Sequence, residues 1–169
     1  RAAGAPSAEP KPFHAEYELI LTDEQLNQWI HRLDKAPLFA FDTETTSLDY
    51  MRAELVGVSF STEAGEAAYL PLDHRYPGAP EQLSLGHVLP MLKPLLEDET
   101  IKKFGHNIKH EIITLEQQGI ELKGITCDTM IASYLLNPSR HNHSLEDIAL
   151  ESFDHKMTTY KELVGTGKK

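Results

Sequence analysis

Apolar residues recur along this chain at two different spacings. The run "YELILT" (17–22) is rich in strand formers, and "TDEQLNQWIHRL" after it sets Leu26, Trp29, Ile30 and Leu33 along one helical stripe. Thr22 with Gln25 three residues on is a capping-box start for that helix. Residues 38–44, "ELVGVSFS" (54–61) and "EAAYLPL" (66–72) are strand-like runs separated by short breaks, which predicts an antiparallel meander. "GHVLPMLKPLLED" (86–98) is apolar at helical spacing, and Pro90 and Pro94 predict that this helix is short or kinked. Beyond it the pattern alternates: strand "IKKFGHN", helix "IKHEIITLEQQG", strand "IELKGITC", helix "DTMIASYLLNP". Such alternation adds parallel strands to a sheet, and a further short helix is expected over 144–153. The Ala- and Pro-rich residues 1–13 read as a flexible linker or arm, 14–169 as the domain, and 154–169 as its weakly structured end.

Composition narrows the function. A chain of 169 residues is long enough for one domain with a real core. Its net charge of −10 disfavours a protein that grips duplex DNA through its phosphates, because such proteins carry a basic patch. Any nucleic-acid substrate would need metal ions, a small contact area or a neighbouring domain to supply positive charge. No apolar run approaches the roughly 18 residues of a membrane span, so no membrane partner is expected. A single cysteine, Cys127, excludes an internal disulfide framework and any CxxC site, which fits a reducing, cytoplasmic setting.

The chemistry lies in "LFAFDTETTSLD" (38–49). Strand residues at i and i+2 share a face, so Asp42 and Glu44 converge while Thr43 and Thr45 point the other way. Glu111 falls on the helix face of Ile108 and Leu115, which packs inward. Strand acids facing a helix acid could hold Mg²⁺ or Mn²⁺, as one ion or as a pair about 3.5–4 Å apart that clamps a phosphodiester. On pattern alone, a DxE at a strand end is more often a solvated rim, so the metal site is only a candidate. His106 and His110 have the i, i+4 spacing of a zinc pair, but no HExxH surrounds them, and zinc ranks below substrate contact or plain surface. Asp128 reads as a helix N-cap without chemistry, and Cys127 as inert core.

The segments "FAFDTETTSLD", "KFGHNIKHE", "GIELKGITCDTMIASYLLNP" and "KMTTYKELVGTGKK" together resemble the 3′–5′ proofreading exonuclease domain of bacterial DNA polymerase I, a DEDD-type nuclease. The resemblance runs from about residue 16 to the end. It implies an α/β, ribonuclease-H-like mixed sheet, an antiparallel meander plus parallel strands, flanked by helices. It also implies hydrolysis of the 3′-terminal phosphodiester of single-stranded DNA ends by two metal ions, Mg²⁺ or Mn²⁺ with Zn²⁺ conceivable at one site. The implied partner is a polymerase domain of the same parent protein, and the implied setting a bacterial cytoplasm near the nucleoid.

Residue by residue, Asp42 and Glu44 match the family's metal-binding DxE, and Thr43 lies between them beside the substrate. Leu48 matches the apolar wedge against the terminal base, and Asn107 a sugar-phosphate contact. Arg140 and Tyr160 match positions lining the single-strand groove. Two departures stand out. His110-Glu111 replaces the usual Tyr-Asp, and His106 a usual Gln. The family's third motif, a Tyr and an Asp one helical turn apart, falls beyond the final "GTGKK". These departures imply an alternative function, an exonuclease-like support for the polymerase domain with weakened catalysis.

Overall fold

The computed structural model describes residues 15–159 and 162. The expected arm therefore lies outside the described residues, as does Tyr160. In chain order the elements are β1 (Glu16–Leu19), α1 (Asp23–Lys35), β2 (Leu38–Thr45), β3 (Leu55–Glu63), β4 (Glu66–Pro71), α2 (Leu85–Glu97), β5 (Lys102–Gly105), α3 (Lys109–Gln117), β6 (Ile125–Asp128), α4 (Thr129–Leu136) and α5 (Leu145–Phe153). The strands form one mixed sheet ordered β1-β4-β3-β2-β5-β6. β2, β3 and β4 are the expected antiparallel meander, and β5 and β6 add in parallel beside β2. β1 pairs parallel with β4 at the far edge.

Alternation along β2 decides what each face does. Phe39, Phe41 and Thr43 are buried, and the register sets Phe41 against Phe60 and Thr43 against Val58. These join Leu26, Trp29 and Leu33 of α1, Val88, Leu92, Leu95 and Leu96 of α2, and Leu115 of α3 in a single core. The capping box on α1 forms in full, Thr22 accepting from the Gln25 N–H while the Gln25 side chain reaches back to the Thr22 N–H. α4 and α5 lie toward the opposite face of β2, and they leave Tyr134, Leu135, Leu136 and Phe153 largely exposed.

Three sequence expectations need correction. α2 is not shortened by its prolines: it runs through 13 residues. Pro90 and Pro94 are both exposed, so the carbonyls deprived of helical partners, those of exposed Gly86 and of Pro90, can turn to water. The strand expected over 120–127 is confined to 125–128, because Gly124 turns the chain with φ 72° close against the Ile101 carbonyl, where a side chain has no room. Cys127 is exposed and not core, since β6 is the edge strand of the sheet.

One buried cation lies between these elements. Lys103 on β5 is fully buried, and its Nζ donates to the carbonyls of Asp98 and Ile101 at 2.9 Å each, beyond the C-terminus of α2. Burial lowers its pKa from 10.5 to about 8. Between pH 8 and 10.5 the folded amine has lost its proton while the unfolded one still holds it, so stability rises with pH across that window. Denaturant midpoints measured from pH 7.5 to 10.5 are expected to rise in the parent relative to Lys103→Met. Parallel curves would show that Lys103 titrates at its ordinary value.

Candidate active site

Asp42 and Glu44 occupy the open face of β2, and the residues directly opposite them on β3 are Ser59 and Gly57. Small side chains on β3 leave the two carboxylates standing above a shallow floor. The register slips between Glu44 and Thr45, which leaves Val56 of β3 as an extra residue in a β-bulge beside Glu44. Bulges re-aim side chains in this way where a sheet carries a site.

The third acid arrives from the adjoining parallel strand. β5 ends at Gly105, the chain passes through Asn107 in the left-handed conformation (φ 63°), and α3 begins at Lys109. Glu111 therefore sits in the first turn of α3, between buried Ile108 and Leu115, and is only 3% exposed. Its carboxyl lies near that of Asp42, close enough for each to shift the other's titration. Its Oε2 is buried without any hydrogen-bond partner. Burial, with the nearby charges of Asp42 and Asp128, pushes the Glu111 carboxyl up to about 8. Asp42 is also raised, first by the protein packed around it and then by the charge of Glu44.

Two neighbouring carboxyls, one with an orphaned buried oxygen, and a third acid on the strand of Asp42 can be satisfied by a proton or by a cation. Among the described residues no group of three or more His, Cys, Asp or Glu side chains forms a ready ligand set. The donors nevertheless suit a hard divalent ion such as Mg²⁺, which is held by one or two carboxylates and completes its shell with water and phosphate oxygen. Asp42 and Glu111, with Glu44 beside them, are the residues that would hold it.

The start of α3 is fixed by a residue whose sequence context predicts only a helix cap. The Asp128 carboxylate, at the end of β6, accepts from the Met130 and Ile131 N–H groups of α4 at 2.8 and 3.2 Å. It also accepts from Asn107 and Ile108 at 3.1 and 2.9 Å. One acid thus anchors the starts of both helices, and these four donors outweigh its desolvation and keep its pKa low. No sequence signal marks the second pair of bonds, because they cross between parallel strands.

The other expected site residues divide. His106 lines the hollow that also holds Asp42, with its Nδ1 2.9 Å from the Thr129 hydroxyl, and burial lowers its pKa. His110 reaches back to β2, its Nε2 3.4 Å from the Thr45 hydroxyl. The two rings contact different elements and are not paired on one metal. Leu48 stands almost fully exposed on the loop after β2, free to meet a ligand. Thr43 is buried on the face opposite Asp42 and Glu44, so the expectation of a substrate contact through its side chain fails. Arg140 is engaged as a clamp between α4 and α5: it pairs with Glu151 and donates to the Ser133 hydroxyl and the Asp147 carbonyl. Its side chain is 16% exposed, so its contacts describe a structural tie and not a groove wall.

Known proteins resemble this chain along most of its length. Residues 17–169 match the family model described as 3′-5′ exonuclease. The chain is 41% identical to the DNA polymerase I of Pseudomonas aeruginosa over 99% of its own length, and 36% identical to that of Rhizobium leguminosarum over 93%. It spans only 19% and 17% of those two proteins. Among solved structures, Brucella melitensis NrnC superposes with a TM-score of 0.63 at 23% identity, covering 86% of this chain and 63% of that one. The catalytic core of RRP6 from Trypanosoma brucei superposes with 0.70 at 16%, covering 91% and 39%. These structural likenesses establish the fold, a mixed sheet shared with both proteins. The chain belongs to the 3′–5′ exonuclease family, in the form carried by bacterial DNA polymerase I.

Proposed function

We propose that this chain removes nucleotides from the 3′ ends of unpaired DNA, as the proofreading part of a DNA polymerase I, by metal-dependent hydrolysis at Asp42, Glu44 and Glu111. The observation that carries this reading is the carboxyl pair of Asp42 and buried Glu111. An acid held at this cost, with an oxygen left unpartnered, burdens the fold until a ligand satisfies it. The same observation weighs against a role as an inactive support, which would be more stable without it. A relative, NrnC, has been solved with bound Mg²⁺, which is consistent with a divalent cofactor here.

Divalent ions at such a site would activate a water and offset charge on the scissile phosphate. The protein's own contribution is positional. Glu111 and Asp42 would hold the cation through their carboxylates, and Glu44 would add a further carboxylate from the same face of β2 as Asp42. In this reading Asn107, just before α3, and exposed Leu48, on the loop after β2, would contact the sugar-phosphate and terminal base. An acidic surface then suffices, because a few unpaired nucleotides need little basic area.

The test is a 5′-labelled single-stranded oligonucleotide incubated with the chain and Mg²⁺ or Mn²⁺. A ladder of shortened products is expected, and Asp42→Ala should slow it by at least about 1,000-fold. A ladder that survives in Asp42→Ala would place the chemistry elsewhere.

A further inference from the structure

On the other side of Glu44 from Asp42 opens a cleft of about 640 Å³, of whose lining the reaction described above uses Glu44 alone. Its walls include Glu44, Glu54, Tyr69, Asp73, His74 and Tyr76. Three of these are rings in series. The Tyr69 and His74 centroids are 5.8 Å apart, and those of His74 and Tyr76 are 5.9 Å apart.

Several features show that this series is built and not incidental. Gly57, directly opposite Glu44, has no side chain, and a Cβ there would collide with the ring and hydroxyl of Tyr69. The Tyr69 hydroxyl lies 2.6 Å from His74 Nε2. His74 is held at its backbone on both sides, its N–H donating to Gln82 Oε1 and its carbonyl accepting from Gln82 Nε2, each at 2.8 Å. Tyr76, the outermost ring, remains 57% exposed.

Charge selects the ligand. Glu44, Glu54 and Asp73 make the cleft acidic, and the cation in its lining, Arg75, is committed to Asp73 through two hydrogen bonds of 2.9 and 2.7 Å. A phosphate would be repelled there. A neutral heteroaromatic ring would not, and aromatic side chains offer every base a stacking face.

We propose that the Tyr69–His74–Tyr76 series is a stacking subsite for an unpaired base of the strand whose phosphodiester lies at Asp42 and Glu44. Tyr76 is its outer platform, and Gly57 is the vacancy that admits the hydroxyl end of the Tyr69 ring. This rests on the nucleolytic reading, and the test separates the two. A short oligodeoxynucleotide is made with cleavage-resistant phosphorothioate linkages at its 3′ end and 2-aminopurine among its last two bases. It is titrated with the 169-residue chain in Mg²⁺, and the quenching of base fluorescence is read.

Quenching is expected on binding. Tyr76→Ala should weaken binding about tenfold and relieve the quench, by the usual worth of one stacked base, while Tyr76→Trp keeps both. Gly57→Ala, which displaces Tyr69, should have the effect of Tyr76→Ala. Binding and quenching unchanged in Tyr76→Ala and Gly57→Ala overturn the subsite and leave the nuclease standing on the Asp42 experiment. Tyr76-dependent quenching in a chain that cuts no oligonucleotide upholds the subsite and overturns the nuclease. A chain that neither binds nor cuts overturns both.

Discussion

Glu111→Gln is expected to produce a more stable protein that has lost its activity. The glutamine keeps the shape of the buried side chain and can donate to Asp42, but it carries no charge to desolvate. The parent carboxyl is 3% exposed with an unpartnered oxygen, and its pKa lies near 8, against an ordinary 4.5. A folded-state pKa above the unfolded one means that the folded protein holds the extra proton. Stability without metal is therefore full below about pH 4.5 and declines as pH rises toward 8. Glu111→Gln should abolish that decline and raise the metal-free melting temperature at pH 8 by several degrees. Mg²⁺ should restore stability to the parent and not to the variant, since only the parent gains a ligand by binding it. Hydrolysis of a single-stranded oligonucleotide should fall by at least about 100-fold. Melting curves with and without Mg²⁺ at pH 5 and 8 decide the matter: a variant no more stable than the parent at either pH would mean that Glu111 is not a burdened acid.

Asp128→Ala should damage the fold and the site together. The change removes the acceptor for four backbone N–H groups, two at the start of α3 and two in α4. Loss of a helix cap costs roughly 1–2 kcal/mol, and the donors at Asn107 and Ile108 add to it, so about 2–3 kcal/mol is expected. For a domain of this size that lowers the melting temperature by about 5–10 °C. A second cap gives the comparison. Ser144 receives the Asp147 N–H at the start of α5, and Ser144→Ala should lose stability without loss of rate. Asp128→Ala should also lose activity, because Asn107 and the Glu111 turn are no longer held against β6. Equal residual activity in the two variants at a temperature where both are folded would reduce Asp128 to a cap and nothing more.

The sequence made parts of this arrangement visible because they are encoded locally. Thr22 and Gln25 define a helix start within four residues, the alternation of Phe39, Phe41 and Thr43 defines a buried strand face, and Ile108 and Leu115 bracket Glu111 at helical spacing. Those signals need no knowledge of partners. The misses depend on partners distant in the chain. Nothing in "YELILT" says that β1 will lie parallel to β4, and nothing around Arg140 says that Glu151 will engage it. Asp128 could be seen as a cap for the helix after it, but its hold on Asn107 depends on β5 and β6 lying side by side. The site shows the same division: the Asp42–Glu44 face was legible from i, i+2 periodicity, whereas the contact of Asp42 with Glu111 needed the fold.

The alternation in β2 has a consequence for quality control of the molecule. A slip of one residue against β3 would send Asp42 and Glu44 into the core and turn Phe39 and Phe41 out to water. Burying two charges while exposing two aromatic rings is among the costliest errors a sheet can make. The two exposed acids of β2 are therefore also a check on its pairing, and only the correct register keeps them in water.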